Sequence, residues 1–180
     1  MLIVLGGLPG TGKTTLARHI VEAFRACYVR IDTIEQTLRD TGLVDGEMGP
    51  AGYVLGYRLA SENLRLGQTV VADSVNSIAI TRDAWRRTGE QHDAVVIEVE
   101  VICSDPTEHR RRVESRAGDI PGLTPPTWDA VIAREYEPWD RDHIVIDTAG
   151  RTERDCVRET IGQIARAGGV AVEPFGQQTG

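Results

Sequence analysis

Residues 7–14 read GLPGTGKT, a complete match to G-x-x-x-x-G-K-[ST], set between an apolar run (residues 2–5) and an amphipathic run from about Thr14. That placement constrains the fold more than any other feature of the chain. Glycines let a backbone wrap closely around an anion, with successive N–H groups pointing at it. The start of the following helix adds its partial positive charge. In such a loop Lys13 reaches the β- and γ-phosphates of a nucleoside triphosphate, and the Thr14 hydroxyl ligates magnesium. A strand before the glycines and a helix after them are the context the motif requires.

The rest of the chain continues the alternation. Residues 2–5, unbroken apolar, suit a strand buried on both faces of a parallel sheet. Leu16, Ala17, Ile20, Val21 and Phe24 form one helical stripe. Further strands are expected at residues 27–31, 68–72, 95–103 and 143–146. Helices are expected at residues 33–40, 53–66, 81–91 and 127–136. Asp105, Pro106 and Glu108 mark another helix start, and Thr152 with Asp155 opens a last one. The pattern implies one α/β domain over residues 1–167 with a five-stranded parallel sheet and right-handed crossovers. Residues 168–180 read as a flexible tail. Ligands gather at the carboxyl ends of such strands, and Asp32, Asp73 and Asp147 each stand at one.

Charge narrows the partners. With 27 acidic against 20 basic residues, the net charge is −7, which argues against a nucleic-acid surface. Of the basic residues only Lys13 is a lysine; the others are arginines. No apolar run approaches the roughly 20 residues of a membrane span, and the opening residues lack a basic leader. Cys27, Cys103 and Cys156 show no metal or redox spacing. These features suit a reduced, cytoplasmic protein.

The loop alone leaves GTPase, motor ATPase and kinase open. DTAG at residues 147–150 looks like a GTPase switch motif but comes too late, with no NKxD to read guanine. The third strand ends in Ala72-Asp73-Ser74, without the Asp-Glu pair of ring-forming motors. VRIDTIEQTL puts Asp32 at the end of the second strand. HRRRVESR, followed by the breaker-rich GDIPGLTPP, pairs arginines with a mobile lid at about residues 117–127. In these features the chain resembles the P-loop kinases of small molecules, among them chloramphenicol phosphotransferase, polynucleotide 5′-hydroxyl kinases and adenylylsulfate kinase. It lacks the DGFPR-type signature of nucleoside monophosphate kinases.

The resemblance implies a three-layer P-loop NTPase fold, ATP with Mg2+, and transfer of the γ-phosphate to a hydroxyl of a small metabolite or drug. A polynucleotide 5′-hydroxyl kinase and a non-catalytic nucleotide-binding regulatory module are the alternatives. Gly7, Leu8, Pro9, Gly10, Thr11, Gly12, Lys13, Thr14 and Thr15 would hold the nucleotide, with Thr14 and Asp73 on the metal. Asp32 is the candidate base, and its competing role is a helix cap. Arg112 and Arg116, four apart, would share a helix face and close on the transferred phosphoryl group together with Lys13. Arg39, Tyr57, Asn76 and Arg82 are candidate acceptor contacts. Trp85 is expected in the core, and no histidine has metal-ligand spacing. The alternation of Glu98 and Glu100 with valines predicts a solvated face on the fourth strand.

Overall fold

A computed structural model describes residues 1–44 and 46–171. Twelve elements follow one another: β1 (Leu2–Gly6), α1 (Lys13–Phe24), β2 (Cys27–Arg30), α2 (Ile31–Asp40), α3 (Ala51–Arg65), β3 (Val70–Asp73), α4 (Ala79–Glu90), β4 (Val96–Ile102), α5 (Pro106–Ser115), α6 (Trp128–Ile132), β5 (Ile144–Asp147) and α7 (Glu153–Gly168). The five strands are all parallel, in the order β2-β3-β1-β4-β5. The order turns back about β1, so the loop leaving β1 opens into the crevice where the two halves of the sheet diverge.

Side-chain alternation along β1 builds the three layers. Ile3 and Leu5 face α1 and α7, where they pack with Leu16, Ile20, Val157, Ile161 and Ile164. Leu2 and Val4 face the other way, against Ala60 and Leu64 of α3 and Trp85 of α4. All four β1 side chains are fully buried, as expected of a central parallel strand covered on both faces. Asp105 caps α5, accepting from the backbone N–H groups of Thr107 and Glu108, and Thr152 caps α7 through Asp155 N–H.

Three expectations are corrected. The second strand ends at Arg30, which stands extended as the N-cap of α2. Asp32 is therefore the second residue of a helix, neither a strand end nor a cap. The helix expected over residues 127–136 stops at Ile132. The strap that follows is held by tertiary bonds instead. Glu137 N–H donates to Ser77 C=O (2.8 Å), and Arg82 donates to the Glu137 and Pro138 carbonyls (3.0 and 3.1 Å).

That strap overturns the solvated face of β4. Arg141 chelates the Glu98 carboxylate (2.7 and 3.0 Å), leaving Glu98 only 5% exposed. Tyr136 OH donates to Glu100 (2.9 Å), and His143 Nε2 lies 3.1 Å from its other oxygen. Buried carboxylates with a full set of donors are stable where bare ones would not be. At the C-terminus, α7 closes on Gly169, a left-handed residue at φ 62°. Residues 172–180 of the expected tail lie outside the described residues. Among those described, no helix is long and apolar enough to cross a membrane.

Candidate functional site

The glycine loop is held in one shape from three directions. Gly7 has φ 129°, and a Cβ there would stand 2.1 Å from the Val101 carbonyl oxygen. Gly10 has φ 87° and would drive a Cβ to 2.5 Å from Val113 of α5. Both positions combine a left-handed backbone with a close approach, which only glycine tolerates. His109 of α5 donates from Nε2 to the Pro9 carbonyl (2.8 Å). Thr148, just past β5, donates to the Thr11 carbonyl (2.9 Å) and accepts from Arg112 (2.7 Å). Sequence reading set both His109 and the DTAG threonine aside. Neither carries a local signal, because each acts on a loop residue at least 100 positions away in the chain.

Lys13 opens α1 and is 8% exposed, with its ammonium donating back to the Leu8 carbonyl (3.0 Å). Burial pulls its pKa below the ordinary lysine value. Asp73 and Asp32 oppose that pull, and the charges of Arg116 and Arg134 add to it. A phosphate seated in the loop would supply the counter-charge that this buried ammonium lacks.

Beside it, the Thr14 hydroxyl donates to Asp73 Oδ2 (2.9 Å), and Tyr28 OH donates to the same oxygen (2.7 Å). Burial and the Asp73 charge push the Tyr28 phenol up, so it stays a donor. Asp73 is 3% exposed, at the end of β3. Among the described residues no cluster of three or more His, Cys, Asp or Glu could cage a metal. One carboxylate and one hydroxyl at a phosphate loop do fit magnesium, which takes few protein oxygens and fills its shell from phosphates and water.

Lys13, Thr14 and Asp73 line a cleft of about 590 Å³. Asp32, Glu35 and Arg39 of α2, Tyr53 of α3, Arg134 and the 123–126 segment line the same cleft. Glu35, which sequence reading missed, is one helical turn from Asp32. Burial first, and then the Asp32 charge, raise its pKa above the usual carboxylate value. The signal was present in the i, i+3 spacing of two acids on one helix face.

The arginines divide. Arg112 lines the cleft but is tied to Glu108 (2.7 Å) and to the Thr148 hydroxyl and carbonyl (2.7 and 2.9 Å). Arg116 also lines the cleft, yet it follows the end of α5 in an extended conformation. The two do not share a helix face, which corrects the four-residue argument. Arg30 pairs with Asp119 of the 117–127 segment through two bonds (2.7 and 3.0 Å). That pairing holds the Asp119 carboxyl down to about 2.

Three candidate acceptor contacts stand away from the cleft. Asn76 is fully buried at φ 49° and donates to the Leu5 carbonyl (2.7 Å), fastening the turn after β3 to β1. Arg82 is 1% exposed and lies over the Trp139 ring at 4.7 Å while gripping the strap. Tyr57 packs edge-on against Trp85 and lines a separate groove between α3 and α4. Of the four, only Arg39 reaches the cleft.

A family profile described as an AAA domain matches residues 2–138. The chain belongs to this family. Within it the chain has a P-loop kinase-like fold, and β3 ends in Asp73-Ser74 without a following glutamate. An uncharacterised protein of Mycobacterium tuberculosis is 35% identical over 167 residues, covering 85% of this chain and 32% of that protein. The chain thus spans about a third of the length of the first curated relatives it matches. A protein of Aeropyrum pernix named as a probable adenylyl-sulfate kinase is 25% identical, with 84% of this chain and 85% of that one covered. Two solved structures share the fold. Kti12 of Chaetomium thermophilum, in complex with ADP-AlF3, has a TM-score of 0.67 at 22% identity, covering 93% and 99% of the two chains. A gluconokinase from Sinorhizobium meliloti has a TM-score of 0.65 at 17% identity, covering 93% of each.

Proposed function

We propose that this AAA-family domain is an ATP-dependent phosphotransferase that moves the γ-phosphate to a hydroxyl of a small molecule. One observation carries the reading. The phosphate loop with its Thr14–Asp73 pair and the carboxylates of α2 line a single cleft, so donor and acceptor can meet in line without leaving the protein.

The nucleotide's phosphates would lie along residues 7–15, on the backbone N–H groups and on Lys13. Magnesium, held by Thr14 and Asp73, would supply neutralisation of charge on the phosphate oxygens. Asp32, its side chain 44% exposed on the cleft wall, orients the acceptor hydroxyl and takes its proton. Arg39 and Arg134 line the cleft together with the two α2 carboxylates, so a polar acceptor with both donors and acceptors suits it. Arg116 and Lys13 spread the charge of the transferred group. The segment at residues 117–127, docked on Arg30, excludes water that would otherwise hydrolyse ATP. The three thiols, all free, accord with a cytoplasmic setting where ATP is plentiful.

The test is a panel of small hydroxylated compounds offered with ATP labelled in the γ-phosphate. Transfer to one of them, lost in Asp32→Asn, is the expected result. Hydrolysis as the sole activity, indifferent to Asp32→Asn, overturns the reading. A second reading, a nucleotide-binding module serving another part of a longer chain, draws on the length of the Mycobacterium relatives. Tight ATP binding with no transfer to any compound would favour it.

A further inference from the structure

Arg30 is 7% exposed and has three carboxylates within 4 Å. Asp119 takes both Nη groups in a fork. Asp73 Oδ2 stands 3.9 Å from Nε, and Asp32 Oδ2 stands 3.9 Å from Nη2. The buried Nε–H has no hydrogen-bond partner among the described residues. It faces the oxygen of Asp73 that already accepts from Thr14 and Tyr28. A guanidinium keeps its charge under all ordinary conditions, and here both Nη groups are committed to Asp119 while the Nε–H edge is unspent.

We propose that Arg30 is a positioning residue that exchanges between Asp119 and Asp73, so that docking of residues 117–127 frees Asp73 to take a divalent cation. With Asp119 in place, the fork is satisfied at the cleft wall and Asp73 is left to the Thr14 and Tyr28 hydroxyls. With Asp119 withdrawn, a buried cation must find another partner. Asp73 lies nearest to the unpaired Nε–H, and a short turn of the side chain brings them together. A carboxylate engaged by a guanidinium competes poorly for magnesium. Lys13 and Asp32 line the same cleft with opposite charges and keep their places in both arrangements. Cover over the cleft and metal affinity are in this way one equilibrium. The inference rests on the reading of Thr14 and Asp73 as the metal side of a nucleotide site.

The experiment needs no acceptor. Mn2+ replaces Mg2+ as a paramagnetic probe, ADP is held in excess, and free Mn2+ is read by electron paramagnetic resonance. Asp119→Asn is expected to weaken Mn2+ binding about fivefold or more and to speed hydrogen exchange at residues 117–127. Adding Arg30→Gln is expected to restore Mn2+ affinity while exchange stays fast, since the competitor for Asp73 is gone. If the double variant unfolds early, Arg30→Lys in the Asp119→Asn background replaces it. Lacking the Nε–H that faces Asp73, it is expected to recover at least half of the loss. Faster exchange with unchanged Mn2+ affinity in Asp119→Asn overturns the coupling, as does a loss that no Arg30 variant relieves. Absence of Mn2+–ADP binding by the unaltered protein would instead sink the nucleotide reading beneath it.

Discussion

The two ends of the cleft are built by different means. The phosphate end comes from one contiguous run, residues 7–15, and works through backbone N–H groups whose directions are fixed by glycines at positive φ. The part of the cleft proposed for the acceptor is assembled from α2, α3, Arg134 and the 123–126 segment, and it presents side chains. A backbone site has one shape and little tolerance, because a Cβ added at Gly7 or Gly10 would collide with neighbouring atoms. A side-chain site can be rewritten one residue at a time while the fold stands. On the proposed function, the phosphate loop would fix what kind of reaction is possible, and the side chains of the acceptor wall would fix on what.

The sharpest way to break that contrast is Gly7→Ala. With φ 129° and the Val101 oxygen 2.1 Å from the added carbon, it is expected to cost at least about 3 kcal/mol. Denaturant unfolding would measure the cost, and calorimetry with MgATP would show no binding. A Gly7→Ala variant that folds and binds normally would remove the distinction. At the other end, Asp32→Asn is expected to slow transfer by about 10² to 10⁴, with nucleotide affinity nearly unchanged in the same calorimetric titration.

The next pair separates the acceptor wall from its scaffold. Arg82→Ala removes a buried guanidinium from two carbonyls and the Trp139 face, and it should cost about 2–4 kcal/mol of stability without altering the KM of whichever acceptor is found. Arg39→Ala should do the reverse, raising that KM about tenfold with little change in unfolding. Equal behaviour of the two variants would return Arg82 to the acceptor site.

The smallest effect concerns Glu35. Burial and Asp32 raise its folded-state pKa, so ionising it opposes folding. That opposition is absent below the unfolded-state value of about 4.3 and complete once the pH exceeds the raised folded-state value. Glu35→Gln is therefore expected to raise the melting temperature by about a degree or two near pH 8. The gain should fade as the pH falls toward 4. A gain that grows in acid would reverse the sign of the argument.

The same contrast explains what could be read in the sequence. The parallel sheet, the buried β1 and the phosphate loop depend on neighbours in the chain, and patterns of four to eight residues carry them. Asp73 beside Thr14 was also legible, because strand ends of a parallel sheet share a rim. Asn76, Arg82 and Tyr57 do not line the cleft; a place in the chain, after a strand for the first two and within a helix for Tyr57, says nothing about which way a side chain turns. Glu98 and Glu100 looked solvated because their donors, Arg141, Tyr136 and His143, come from a strap some forty residues later. Asp119 lies in a run of helix breakers with no periodicity at all. Only the folded chain shows that Arg30, 89 residues earlier, is its partner.

Lys13 carries a consequence outside the reaction. It is the only lysine of the chain, buried at the loop with its pKa lowered. An amine-directed reagent therefore has one side-chain target in the chain, and one that a ligand seated in the loop would shield. The molecule carries its own occupancy gauge, and the same residue gives a lysine-specific protease a single place to cut.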